Sequence, residues 1–471
     1  MQLIIKNFGP LKKGEIDLSK KFYVFVGDNN TGKTYLSQLL WCIFSEETIE
    51  QFAQKTVLIE PLPVAKNLSF EITPALLDTI LEKFARFLTD DIIPKQFNVE
   101  TNTLILENLV LKFQYHLNQI RMRTLEAVYG TDGGLFFISK NVDSMSLNIK
   151  SQDLDNIDKK FLQTSLLKSI LRVIFNNVHN TFFLPASRIF FPIFYYYIFK
   201  VDREDNKKIS QQLIDYLEKS NNHGQINKLQ ELPIVKRPYN ELMGKLFEKI
   251  NELWEISKPN NHYAKIVAEI SQIIGGDIVL SNASEIGPIE ISFRMSKETN
   301  LPMYLSSSAV NQLATLYLYF QYWAKADNNF LMVDEPEENL HPRNQIALCN
   351  ALLKFVKHNN NRVLINTHSP LIAENINNYL YLHILKAQHG LNIEDILADN
   401  ELNLRTDISI SPEELGVYFF NGIELISYEA EDYGVYFRDF QKVNNEIKKS
   451  GQVLTDYIYL KEHDNENVFD Q

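Results

Sequence analysis

Gly27-Asp28-Asn29-Asn30-Thr31-Gly32-Lys33-Thr34 lies between the apolar run Phe22 to Val26 and the helical spacing of Leu36, Leu39, Leu40, Ile43 and Phe44. A G-x-x-x-x-G-K-T stretch between a strand and a helix is the pattern of a phosphate cradle. Its glycines bend the loop so that backbone N–H groups and the helix N-terminus face phosphate oxygens. Gly27, Asn29, Asn30, Thr31, Gly32, Lys33 and Thr34 are therefore expected to line a nucleotide. Lys33 would reach the β and γ phosphates, and the Thr34 hydroxyl would hold Mg²⁺. A Gly/Asn-rich turn ahead of a helix would explain neither Lys33 nor Thr34.

Working outward, Phe330-Leu331-Met332-Val333-Asp334-Glu335 is four apolar residues ending in two carboxylates. A buried strand there would deliver Asp334 to the edge of a sheet beside the phosphate loop, where it can hold Mg²⁺ through water. Glu335 points elsewhere and can polarise an attacking water as general base. The next apolar run, Arg362 to Ile365, leads into Asn366-Thr367-His368-Ser369-Pro370. At that strand end His368 can donate to the γ phosphate and register its loss. Leu305-Ser306-Ser307-Ser308-Ala309-Val310-Asn311-Gln312-Leu313 precedes a helix. Serines there cap free N–H groups, or form an anion site for the γ phosphate of a second subunit's nucleotide; spacing leaves both open.

Bulk properties bound the rest. The 471 residues suggest two or three lobes, and 45% hydrophobic with 23% charged residues is the make-up of a globular protein. No apolar run approaches the ~20 residues of a membrane helix, and Met1 to Lys6 leads straight into a strand, so the expected location is cytoplasmic, with no membrane partner. Cys42 and Cys349 lie in apolar helical patterns and read as buried thiols. A net charge of −12 argues against strong nonspecific DNA binding. The pairs Lys12-Lys13, Arg121 with Arg123, Lys207-Lys208 and Lys448-Lys449 read as solvated faces.

Along the chain, Leu3-Ile4-Ile5 and Gly14 to Leu18 read as strands around a Gly9-Pro10 turn, closing a first unit at 1–45. Residues 46–300 read as a largely helical insertion, with helices over Pro74 to Leu88 and Ile105 to Val128, a short strand at Phe182 to Leu184, turns at Asn221-Asn222-His223-Gly224 and Pro259-Asn260-Asn261, and strands at Ile278 to Leu280 and Ile289 to Phe293. The segment 301–400 carries a helix from Ala309 to Lys325, the strands already described, a helix from Arg343 to Val356 and a strand at Tyr381 to Leu385. The remainder, 401–471, offers a strand at Val417 to Phe420 and an Asn421-Gly422 hairpin into Ile423 to Ser427, followed by a helix. The alternation of strand and helix makes the core α/β.

Taken in order, these motifs resemble the ABC-type ATPases of the SMC, RecF and OLD group: Walker A at 27–34, signature at 305–313, Walker B at 330–335 and a His switch at 368. Glu335-Pro336-Glu337-Glu338-Asn339-Leu340-His341-Pro342 is similar to the EPExNLHP stretch of the smaller, bacterial branch, and Leu184-Pro185-Ala186-Ser187-Arg188 to its PA(S/E)R stretch. The resemblance implies an α/β P-loop head with ATP and Mg²⁺ as ligands and slow ATP hydrolysis. Two copies would pair around two ATP molecules, with Ser306 and Ser307 of one reaching the nucleotide of the other. Ser308 stands where the group commonly has glycine, and a glutamine loop is not legible between 45 and 300. Arg188 is open to two readings, a contact to nucleotide or partner and a surface salt bridge.

Relatives of the OLD type carry a TOPRIM nuclease, and the 103 residues after His368 are expected to be too few for one. Glu429, Glu431 and Asp432 read as a solvated turn. The resemblance extends to stand-alone ATPases of bacterial anti-phage systems, those of PARIS and Septu, which work with a separate TOPRIM or HNH effector. It implies a sensor or scaffold that holds such an effector until phage protein or DNA appears. A RecF-like repair ATPase that binds DNA directly is the alternative, and a nucleotide-gated binding module with negligible hydrolysis a third.

Overall fold

The computed structural model describes residues 1–57, 67–97, 106, 108–131, 134–151, 158–178, 180–193, 241–253, 258–282, 289–296, 299–431 and 434–466. The turn Asn221 to Gly224, the pair Lys207-Lys208 and Asp432 lie outside them.

Six strands form the central sheet in the order 425–428, 415–420, 22–27, 362–366, 329–334, 180–184. All neighbours are parallel except the hairpin pair 415–420 and 425–428. Alternation within the strands explains why both faces are apolar. Tyr23, Phe25, Phe330, Met332 and Leu364 enter one core cluster, whereas Val24, Val26, Leu331, Val333, Val363 and Ile365 enter the other. The helix Lys33–Phe44 contributes Leu36, Leu39, Leu40, Ile43 and Phe44 to the first cluster, and the helices Ser308–Leu318 and Pro342–Val356 cover the second. The architecture is α/β, a mainly parallel sheet with an apolar core on each face.

Several expectations need correction. The 46–300 region is mixed rather than largely helical: strands 67–71, 146–151, 134–140 and 125–131 make a four-stranded antiparallel sheet beside helices Pro74–Phe87 and Lys159–Ile174. The helix expected over Ile105 to Val128 is a strand at Val110–Gln114, a short helix at Leu117–Met122 and a strand starting at Leu125. Leu106, Val110, Phe113, Leu117 and Ile120 satisfy helical spacing, but Leu111 and Phe113 alternate inward and the backbone pairs with Gln2–Lys6. Conversely, Tyr381 to Leu385 is helical. Ser369 caps the helix Pro370–His389, Pro370 opens it, Gly390 ends it at φ 61°, and Ile372, Ile376, Tyr379 and Leu380 bury one face. The lobes also interleave: Asn180–Leu184 and Leu415–Phe420 are strands of the head sheet itself, so the head is not confined to 1–45 and 301–400. A parallel sheet takes its strands from distant segments, and sequence order does not reveal that.

The phosphate-loop strand is pinned at its start by Glu414. Its carbonyl accepts from the Lys21 and Phe22 N–H groups, and its carboxylate from Lys21 Nζ (2.9 Å) and Lys357 Nζ (2.6 Å). Burial would raise this carboxyl, but the two ammonium groups outweigh it and hold the pKa at about 2. A depressed folded-state value contributes stability above the unfolded pKa that fades as pH falls toward 2. Glu414→Gln should therefore cost roughly 1–2 kcal/mol at pH 7, after solvent screening of Lys21, and almost nothing near pH 2. Denaturant unfolding of both proteins at the two pH values measures it, and an equal difference at both would refute the ion-pair account.

Candidate functional site at the phosphate loop

The loop backbone has the shape its glycines require. Gly27 sits at φ 139° opposite Phe420 in the sheet, where an added Cβ would lie 2.4 Å from the Phe420 carbonyl oxygen. Gly32 caps the helix Lys33–Phe44 at φ 104°, and Asn30 adopts φ 61° between them. Asp28, Asn29 and Asn30 are exposed, while Thr31 is buried with its hydroxyl donating to the Asp28 carbonyl at 2.7 Å. Lys33 Nζ donates to the carbonyls of Gly27 (2.9 Å) and Asp28 (2.7 Å). Burial lowers its pKa against the opposing pull of Asp334, Glu335 and Asp28.

The sheet places Asp334 beside this helix. Thr34 Oγ1 donates to Asp334 Oδ2 at 2.9 Å, and Asn366 Nδ2 to Asp334 Oδ1 at 2.8 Å. Ser37 Oγ in turn donates to Asn366 Oδ1 at 2.9 Å. Asp334 and Asn366 are register partners in parallel strands, so their strands alone bring them together. An all-oxygen pair of hydroxyl and carboxylate suits a hard cation such as Mg²⁺. Thr34 and Asp334 are the residues that would hold it, and such an ion would supply charge neutralisation of the phosphates.

Glu335 leaves the strand at φ 47°, a left-handed turn that separates its carboxylate from that of Asp334. It is half-buried, and burial together with Asp334 and Glu338 raises its pKa above the ordinary glutamate range. His368 Nε2 lies 4.0 Å from Glu335 Oε1, and burial and Lys33 lower the imidazole pKa, which favours its neutral form. Asp334, Glu335, His368, Lys33 and Thr34 thus converge as the spacing predicts. They can hold a triphosphate, accept a proton from water and meet the γ phosphate.

Three groups were not legible as site residues. Asn366 and Ser37 complete the hold on Asp334. Glu337 Oε1 accepts from the His368 N–H at 2.6 Å and from Thr367 Oγ1 at 2.9 Å, tying the two strand-end loops together. Burial raises its pKa. The available signal was position alone: Asn366 ends the strand expected beside Asp334. Glu337→Ala should slow ATP turnover roughly 10–100-fold through misplacement of His368, while Glu337→Gln keeps most of it. Steady-state rates test this, and an unchanged Glu337→Ala rate would mean that other contacts hold the loop.

Arg188 corrects both sequence readings. It is fully buried, and so is neither a surface salt bridge nor a contact to nucleotide or partner. It donates to the carbonyls of Gln312 (3.1 Å), Pro185 (3.1 Å), Asp334 and Glu335 (3.0 Å), and burial lowers its pKa to about 10. Ser307 caps the helix Ser308–Leu318, accepting from the Val310 N–H at 3.3 Å, and Ser306 Oγ donates to the Pro302 carbonyl at 3.4 Å. Among the described hydrogen bonds neither serine meets the phosphate loop, Asp334 or His368. Ser308 opens that helix without positive φ, so a glycine's freedom is not needed there.

A family model described as an AAA ATPase domain matches residues 1–373. The chain belongs to the AAA ATPase domain family. This AAA ATPase domain finds no match among curated proteins. Among solved structures it is similar to an Smc head bound to the C-winged helix domain of ScpA, at 13% identity and TM-score 0.36, over 91% of this chain and 97% of that one. It is also similar to an Smc head from Pyrococcus furiosus bound to the C-terminal domain of ScpA (13% identity, TM-score 0.32, 95% and 98% covered) and to the SMC head of Thermotoga maritima (12%, 0.29, 91% and 98%). Among the described residues, no helix of this AAA ATPase domain is long and apolar enough to cross a membrane.

Proposed function

We propose that this ATPase is the nucleotide-driven subunit of a bacterial anti-phage system, a sensor or scaffold that holds a separate TOPRIM- or HNH-type effector and releases it on a phage signal. ATP binds in the 27–34 loop with Mg²⁺ at Thr34 and Asp334. Glu335 activates water, His368 reads the γ phosphate, and hydrolysis is slow. Two heads pair so that Ser306 and Ser307 of one reach the nucleotide of the other.

What supports the reading is one observation. The two stretches similar to the smaller, bacterial branch, 184–188 and 335–342, are joined because Arg188 of the first grips the carbonyls of Asp334 and Glu335 at the start of the second. The experiment is co-purification of the chain with the product of the adjacent gene, alongside phage challenge of cells carrying both. A stable complex and loss of protection with Lys33→Ala are expected. No complex, with protection indifferent to Lys33→Ala, would overturn the proposal, and salt-sensitive, ATP-stimulated DNA binding would favour the repair alternative.

A further inference from the structure

The helix Arg438–Glu466 is 29 residues long, or ~43 Å. Phe437 and Phe440 root it on the second core cluster, and every described side chain from Asn445 to Tyr457 is exposed. Its exposed residues include Ile447 (66%), Leu454 (65%) and Tyr457 (66%). A bare helical stretch of this length is marginal in water, and Gly451 in its middle costs a further ~1 kcal/mol relative to alanine. Among the described residues nothing lies within 4 Å of a Cβ placed on Gly451, so packing among them does not account for that glycine.

Apolar and small residues of one face are placed symmetrically about this point, although the sequence itself is not palindromic. Outward from Ser450-Gly451, Ile447 and Leu454 stand at matching positions, and Val443 and Ile458 continue the spacing. The steps 443, 447, 450/451, 454, 458 follow one helix face. Two such helices laid antiparallel about a two-fold axis set Ile447 against Leu454 of the other copy on both sides of the centre. Ser450 and Gly451 then meet at the crossing, where small residues allow close approach. Lys448 and Lys449 fall opposite Val453 and Gln452, and Glu446 opposite Thr455, so no like charges face each other.

We infer that this helix pairs antiparallel with the same helix of a second copy, holding two chains together independently of nucleotide. The occupant is a second copy because the face is self-complementary under that two-fold, with large residues meeting large and small meeting small. Sedimentation of the full chain without nucleotide should give twice the chain mass at micromolar concentration for wild type and for Lys33→Ala. The exposed-site variants Leu454→Glu and Ile447→Glu should give the single-chain mass with unchanged circular dichroism. In a variant carrying both Ile447→Cys and Leu454→Cys, oxidation should link 447 of one copy to 454 of the other, the native Cys42 and Cys349 being buried. A monomeric wild type, a dimer indifferent to Leu454→Glu, 447-to-447 linkage, or a monomer that instead sediments with anionic vesicles would each overturn the inference.

Discussion

Glu335→Gln is expected to lower ATP turnover by about 10²–10⁴-fold, some 3–5 kcal/mol of barrier, while nucleotide binding survives. The amide has the size and hydrogen-bonding reach of the carboxylate but cannot accept the proton of an attacking water. The backbone singles out this position. A non-glycine residue at φ 47° is costly and persists only where its surroundings impose it, and here Arg188 holds the Glu335 carbonyl while the Glu335 N–H donates to the Asn366 carbonyl at 2.9 Å. Lys33→Ala should behave differently, losing nucleotide binding itself. Turnover measured beside binding of a fluorescent ATP analogue separates the two, and equal turnover in wild type and Glu335→Gln would remove Glu335 as the base.

Arg188→Met is expected to destabilise the head by about 3–5 kcal/mol, visible as a Tm lowered by on the order of 5–10 °C. The substitution removes four charge-assisted hydrogen bonds, each worth on the order of 1 kcal/mol, although the Pro185 and Glu335 carbonyls keep backbone donors in the Arg188 and Glu338 N–H groups. Arg188→Lys should recover little, because one ammonium cannot span acceptors on three segments that a planar guanidinium reaches at once. Turnover should fall as well, since Asp334 and Glu335 are positioned through those carbonyls. A variant with wild-type Tm would show that water replaces the guanidinium without loss.

How much of this was legible depended on whether contacts were local. The loop 27–34, the strand ending at Asp334 and the His368 turn each carry their geometry in adjacent residues, and each lies where its spacing says. Arg188 could not be read that way. Its partners at Gln312, Asp334 and Glu335 are more than a hundred residues away, and an arginine after a strand is exposed far more often than buried. Glu337 looked like one more acidic residue in a run of them, and only the folded loop shows which carboxylate faces the His368 N–H. The strand Val110–Gln114 failed for a different reason. Its apolar residues fit two periods, and the choice was made by a partner strand, Gln2–Phe8, at the far N-terminal end of the sequence.

The edge of the sheet gathers four carboxylates, Asp334, Glu335, Glu337 and Glu338, around the guanidinium of Arg188, with Lys33 beside Asp334 and Glu335. Negative groups outnumber positive ones there before any phosphate arrives. A bare triphosphate approaching that edge meets repulsion that its own charge strengthens, whereas one already paired with a divalent cation does not. On the proposed reading, such an edge would favour nucleotide already paired with its cation over the free anion.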